Sequence, residues 1–267
     1  MPPLYGLFAG QIPLKSFSPQ QITAFEHQGF VIARRFAPRE LCARIKALAQ
    51  QHLAAEIGPL EYEAQVKYPG SPPSLEAPGG FTVRRLLQAY ARDALLRDWA
   101  TAPEIAAPLR QLLGPNVELS QAHHNCIMTK NPAFSSATGW HQDIRYWAFE
   151  KPELVSIWLA LGTERVENGC LWLVPGSHKL EIPRDRYDDT RLFRDDVEEN
   201  RAILDSRVAA ELGEGDVLFF HCRALHAAGR NLTGETKFAA VFTYHAAGNR
   251  PLPGSRSASI PDIRLNL

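Results

Sequence analysis

The chain has 267 residues, 45% of them hydrophobic and 22% charged, a balance that fits a globular protein with a sizeable core. Lys plus Arg and Asp plus Glu stand at 29 each, so no overall basic field points to nucleic acid or an anionic membrane. Any partner is therefore expected at a local site, and nothing in the composition sets an oligomeric state.

Met1 to Gln11 lacks the basic and then apolar pattern of a signal peptide, and no segment approaches the roughly 18 apolar residues of a membrane span. Cytoplasmic location is the expectation. Cys42, Cys126, Cys170 and Cys222 are widely spread and form no CxxC pair, which argues against a disulfide framework or zinc ribbon and for reduced, mostly buried thiols.

In chain order, Ser18 and Pro19 mark a helix start and predict a short helix to His27, stopped by Gly29. Phe30 to Ala33 reads as a strand. Pro38 opens a longer helix whose apolar face carries Leu41, Ile45, Leu48 and Leu53. The Pro- and Gly-rich stretch from Gly58 to Gly80 reads as a loop with one strand near Tyr62 to Val66. Helices are expected over 87–100 and, with Thr101 as cap before Pro103, over 104–113.

After Asn116 the pattern changes to strands separated by turns: 117–130, 140–148, 155–161, 170–174, 216–221 and 237–245. This predicts a mainly β protein with flanking helices. One domain is expected over residues 1–267, with a helix-rich supporting region (1–116), a β-core (117–247) and a C-terminal tail (248–267). The charged stretch from Arg184 to Asn200 interrupts the strands, either as a solvated excursion or as a lid over a cleft.

The chemistry concentrates at Trp140 to Trp147. His141 and Asp143 lie two apart in a strand-like segment and are expected on one face, where an imidazole and a carboxylate can supply two ligands of a metal site. A third histidine would complete a facial triad with open positions on a non-haem iron, and His221 or His226 could provide it. Lys237, eleven residues after His226 at the start of a strand, is a candidate fixed cation for an anion. His123 and His124 are adjacent and expected to face opposite ways, so that at most one sees a cavity. His245 shares parity with Lys237, and His178 in the Pro175-Gly-Ser-His turn reads as structural.

Six blocks in order, His141-Gln-Asp143, Trp158-Leu-Ala-Leu, Asn168-Gly-Cys-Leu, Pro175-Gly-Ser-His-Lys, Gly215-Asp-Val-Leu-Phe-Phe-His and His226-Ala-Ala-Gly-Arg-Asn231, resemble the phytanoyl-CoA dioxygenase family. The resemblance is dense over 117–247 and loose over the N-terminal helices. It implies a double-stranded β-helix, a jelly roll of cupin type. It also implies Fe(II), 2-oxoglutarate as cosubstrate, O2, and ascorbate as a stimulant of turnover. The iron ligands would be His141, Asp143 and His226, leaving His221 to packing or hydrogen bonding.

Lys237 would hold the far carboxylate of 2-oxoglutarate. Trp147 and Trp158 match aromatics near the iron and cosubstrate, although core packing explains each as well. Asn125 and Gln142 are further candidates for the cosubstrate's carboxylate, and Arg84 and Arg145 for an anionic substrate. Two departures fall at the anchor: the family usually has arginine where Lys237 stands, and often serine where Ala228 stands. Lysine is a point charge without arginine's planar fork, so a looser grip or altered 2-oxoacid selectivity is expected.

The implied reaction is hydroxylation of an aliphatic C–H bond of a small metabolite with release of succinate and CO2. The intact Asp143 argues against the family's halogenases, and desaturation or epimerisation remains open. The alternative is a non-catalytic metal-binding β-barrel or small-acid sensor, whose only support in the sequence is the softened anchor.

Overall fold

The computed structural model describes residues 16–265, so the reading of Met1 to Gln11 lies outside the described residues. Helix α1 (Pro19–Gln28) begins on a Ser18 capping box and ends on Gly29 in the left-handed conformation. Strand β1 (Phe30–Ala33) and helix α2 (Arg39–Ala54) follow as the sequence predicts. Next come β2 (Leu60–Tyr62), α3 (Glu63–Val66), β3 (Val83–Leu87), α4 (Ala89–Arg92), α5 (Ala94–Ala100) and α6 (Pro103–Leu113). The C-terminal part holds β4 (Val117–Lys130), β5 (Thr138–His141), β6 (Leu154–Ala160), β7 (Leu171–Leu173), α7 (Glu198–Leu204), β8 (Val208–Ala210), β9 (Val217–His221), β10 (His226–Ala228), β11 (Lys237–Ala246) and β12 (Ile263–Arg264).

Two antiparallel sheets face each other in the expected jelly-roll arrangement. The larger runs β1-β9-β6-β11-β4-β3-β2, with β12 also on β4, and the smaller runs β5-β10-β7-β8. They stay separate rather than closing into a barrel. All seven residues of β6 and nearly all of β11 are buried, as expected of strands covered on both faces. On one side, Leu41, Ile45, Leu96, Trp99, Ile105 and Leu109 from the helices pack against Ile157, Phe219 and Phe242. On the other, Trp158, Leu218 and Val241 meet Leu171, Leu173 and Ala228 of the smaller sheet.

Several expectations are corrected. The N-terminal region is not only a helical support, because β1, β2 and β3 extend the larger sheet, and the C-terminal tail adds β12. Residues 62–66 form the end of β2 and a helical turn rather than a strand. The helix expected over 87–100 is broken at Asp93, whose extended backbone ends α4 and whose carboxylate accepts from the Leu95 N–H to cap α5. Thr101 closes α5 instead of capping α6. The strand expected over 140–148 stops at His141, and Asp143–Tyr146 is a turn of 3-10 helix.

The excursion after residue 184 is docked. Tyr187, Phe193 and Leu204 pack with Val174 and Leu225, the Phe193 N–H donates to the Trp140 carbonyl at 2.6 Å, and buried Asn200 bonds the carbonyls of Arg186 and Arg194. The four cysteines are free thiols and buried, as expected.

Gly215 shows how close the packing is at the turn into β9. Its φ is +85°, and a Cβ there would lie 2.5 Å from the Ala37 carbonyl oxygen. The turn is held by Asp216, which accepts from the Arg35 and Gly213 N–H groups and from the Arg34 guanidinium. Gly215→Val combines a backbone clash with a disfavoured φ, and urea unfolding should show a loss of about 2 kcal/mol or more.

Candidate metal centre and its two pockets

Pairing of β10 with β5 sets the centre. His226 lies directly opposite His141 in the antiparallel register, and their ring centroids are 4.1 Å apart. The Nδ1–H of His141 donates to the Gly139 carbonyl at 2.8 Å, and that of His226 to the Ala224 carbonyl at 3.0 Å. Each bond fixes one tautomer and leaves the Nε2 lone pair facing inward.

Asp143 arrives from the 3-10 turn, with Oδ1 at 3.7 Å from His141 Nε2 and 3.8 Å from His226 Nε2. One ligand atom from each of the three side chains lies within 4.8 Å of the others, and all three residues are buried. Asp143 Oδ2 is buried with no hydrogen-bond partner. A buried carboxylate with one oxygen unpartnered and the other facing two inward lone pairs is costly unless a cation balances it, so the donor set fits a divalent metal of the non-haem iron type. Burial, with His226 adding to it, pushes the His141 imidazole down to about 3, which keeps it neutral.

A narrow cavity of about 60 Å³ reaches from His141 and His226 toward Trp158, Lys130 and Lys237. A wider cavity of about 490 Å³ opens on the other side, bounded by Tyr146, Trp147, His123, Gln121, Glu61 and Arg256. Tyr68, Arg85, His124 and His141 line both.

At the far end of the narrow cavity, Lys237 Nζ lies 2.7 Å from Glu164 Oε2, while Glu164 Oε1 accepts from Trp158 Nε1 at 2.7 Å. Lys130 stands opposite Lys237 in the β4–β11 register and donates to the carbonyls of Ser136 and Gly229. The last family block has a physical role here: buried Asn231 ties the Lys130 carbonyl to that of Glu235, fixing the strand ends that carry both lysines. Gly169 leaves room for the Lys130 stem, since a Cβ on it would lie 2.9 Å from Lys130 Cδ.

Other residues singled out in the sequence are placed as follows. Trp147 lines the wide cavity and Trp158 the narrow one. Asn125 lines the wide cavity, but its Oδ1 is used by the Tyr90 N–H. Gln142 is turned away from both cavities, donating to the Arg223 carbonyl and accepting from the Tyr187 hydroxyl. Arg145 stacks on Tyr187 and bonds the Ile182 carbonyl, whereas Arg84 lines the narrow cavity and bonds Thr138. His221 accepts from the Arg223 N–H, and His178 docks on the Glu26 carbonyl at the end of α1. His245 faces Asp262.

The strand-parity reading of His123 and His124 is overturned. The β4–β11 register jumps from Asn125 to Ser120, so residues 121–124 bulge out of the ladder. Both histidines reach the wide cavity: His123 stacks on Trp147, and His124 Nε2 lies 3.4 Å from Asp143 Oδ1. Sequence reasoning also missed Lys130, Glu164, Tyr68 and Arg85. Lys130 and Glu164 carry the clearest signal in hindsight, as charged residues at or just beyond the ends of apolar strands.

With this geometry in view, the family model for phytanoyl-CoA dioxygenase matches residues 25–239. The chain belongs to the phytanoyl-CoA dioxygenase family. The match reaches back into α1, beyond the region where the motifs are dense. Human peroxisomal phytanoyl-CoA dioxygenase is 28% identical over 250 residues, covering 84% of this chain and 71% of that protein. Ectoine dioxygenase of Halomonas elongata is 26% identical over 250 residues, covering 87% and 71%.

Among solved structures, EctD from S. alaskensis with 2-oxoglutarate and 5-hydroxyectoine superposes with a TM-score of 0.73 at 21% identity, covering 92% of this chain and 82% of that one. The epimerase SnoN with Fe3+, alpha-ketoglutarate and nogalamycin RO gives 0.72 at 23% identity, covering 91% and 89%. These two share the fold of this phytanoyl-CoA dioxygenase family member.

Burial, reinforced by Lys237 and Arg84, pushes the Lys130 ammonium down to about 7. Unfolded lysine titrates near 10.4, so between about pH 7 and 10 the unfolded chain binds more protons at this residue. Stability contributed at Lys130 therefore rises with pH across that window. The unfolding free energy of the native chain relative to Lys130→Met should shift in favour of the native chain from pH 7 to pH 10, as urea titrations at each pH would show.

Proposed function

We propose that this protein is an Fe(II)- and 2-oxoglutarate-dependent dioxygenase that hydroxylates an aliphatic C–H bond of a small molecule. The observation that carries this reading is the centre itself. Two histidines locked by backbone carbonyls and a buried carboxylate with one unpartnered oxygen leave one side facing a narrow basic cavity and the other a wide one. His141, Asp143 and His226 would hold the iron. Iron with 2-oxoglutarate and O2 supplies oxidative decarboxylation to succinate and CO2, coupled to placing a hydroxyl on the substrate.

The chain's own residues bind, orient and exclude water. Lys130 and Lys237 face the narrow cavity as the cations for the cosubstrate's outer carboxylate, with Trp158 as one wall. The wide cavity, within the range of small-molecule sites, receives the substrate. Trp147 and Tyr146 give it apolar surface beside the metal ligands, while Gln121, Glu61 and Arg256 offer polar contacts. This mixed lining suits a compact metabolite with polar substituents better than a bare hydrocarbon. Its depth beside buried ligands favours a C–H bond held close and dry. The docked 184–200 segment holds the Asp143 turn in place through Tyr187 and Gln142.

Two measurements test the reading. Purified protein loaded anaerobically should retain about one iron per chain by elemental analysis, and Asp143→Ala or His226→Ala should lower metal affinity by at least about tenfold. The loaded native enzyme should convert 2-oxoglutarate to succinate in the presence of O2 and ascorbate. Full metal occupancy without turnover of any 2-oxoacid would instead favour a binding protein. Lys237→Ala should raise the Michaelis constant for 2-oxoglutarate many-fold, and an unchanged constant would remove Lys237 from the cosubstrate site.

A further inference from the structure

The cation expected to hold the cosubstrate already has a partner inside the protein. Glu164 is 1% exposed, and both of its carboxylate oxygens are engaged, Oε2 by Lys237 Nζ and Oε1 by Trp158 Nε1, each at 2.7 Å. The indole and the ammonium come from neighbouring strands, β6 and β11, so the carboxylate bridges two walls of the narrow cavity. Lys237 also lies over the Trp158 ring, 5.1 Å from its centroid. Ala228 at the same cavity contributes no hydroxyl.

The charge around this end can be followed group by group. Lys237 is matched by Glu164. Arg84 and Arg85 both reach Glu61, and Glu63 accepts from Ser136 just behind Lys130 and Arg84. Four cations, Arg84, Arg85, Lys130 and Lys237, therefore face three carboxylates, Glu61, Glu63 and Glu164. Lys130 carries the surplus charge, and its two hydrogen bonds run to neutral carbonyls.

We propose that Glu164 sets the 2-oxoacid selectivity of this enzyme. As a fixed internal carboxylate on Lys237, it shifts recognition of the cosubstrate's outer carboxylate onto Lys130 and weakens the preference for an acidic over an uncharged tail. Lysine has three N–H donors, and Glu164 takes one of those on Lys237, so the ligand shares this cation with the protein. A carboxylate brought beside Glu164 also meets its negative charge in a poorly solvated site, where a few ångströms of separation matter. An uncharged tail meets neither effect. The assignment rests on the cosubstrate reading proposed above, and the test separates the two.

The test uses the full-length protein loaded with Mn(II) in place of iron, so that binding is measured without turnover. Isothermal titration calorimetry at pH 6.5, where Lys130 is mainly charged, compares 2-oxoglutarate with 2-oxohexanoate, whose tail is uncharged. Glu164→Gln keeps the shape and one acceptor, for Lys237, while removing the charge and the acceptor for the Trp158 indole N–H, a loss that bears equally on both acids. It should tighten 2-oxoglutarate by about tenfold or more and leave 2-oxohexanoate within about threefold. Lys130→Met should weaken 2-oxoglutarate by a similar factor and again spare 2-oxohexanoate.

Unchanged or weaker 2-oxoglutarate binding in Glu164→Gln, or an equal change for both acids, overturns the assignment. So does Lys130→Met without a selective loss, and that arm decides alone if Glu164→Gln does not fold. If the native Mn(II) protein binds neither acid, the cosubstrate reading itself fails, an outcome distinct from binding that does not respond to Glu164.

Discussion

The pairing of β10 with β5 is the interaction on which the rest of this molecule depends. It is only a few residues long, yet its register places His226 against His141 and so decides whether a metal centre exists. A slip by one residue would turn one imidazole to the opposite face. Such a short pairing cannot hold its register alone, so neighbouring contacts must fix it. β10 is flanked on its other side by β7, the Leu225 N–H donates to Ser177 Oγ, and the Val174 N–H donates to the Leu225 carbonyl. The Pro175-Gly-Ser-His turn thereby braces the distal histidine from below, and His178 links the same turn to α1.

Several of the six family-like blocks are parts of one support. Asn231 fixes the strand ends that carry the two lysines, Gly169 admits the Lys130 stem, and Asp216 sets the start of β9. None of these residues touches the three candidate ligands. Small side chains at Ala227 and Ala228 let β10 run between two neighbours while the narrow cavity stays open beside it.

Much of this was legible from residue patterns. The change from helical to strand periodicity at Asn116 located the β-core, the spacing of His141 and Asp143 pointed to a candidate centre, and the family resemblance selected His226 over His221 as its third member. What stayed hidden depended on local backbone geometry that periodicity does not encode. Asp143 reaches the centre from a 3-10 turn and not by strand alternation. The bulge at 121–124 sends His123 and His124 to one cavity, where an unbroken strand would have divided them. β3 was missed because it follows a Pro- and Gly-rich loop and carries adjacent arginines, Arg84 and Arg85, which read as surface. Both are drawn inward only because Glu61 and Glu63 arrive from β2 and α3 to meet them.

That last pairing changes the role of the N-terminal region. Charged groups beside an enclosed cavity are tolerated when opposite charges and hydrogen bonds balance them, and here the balancing carboxylates come from β2 and α3. Glu63 holds Ser136 through its N–H and hydroxyl, Ser136 offers its carbonyl to Lys130, and Lys130 reaches on to Gly229 just after β10. A continuous polar path thus joins the N-terminal segment to the strand bearing the distal histidine. The family match beginning at residue 25 has a physical basis in this path, because the β-core alone would leave Lys130 beside the cavity without Glu63, which anchors Ser136 beneath it. The pocket is a property of the whole chain, and its charge is set from both ends of the sequence.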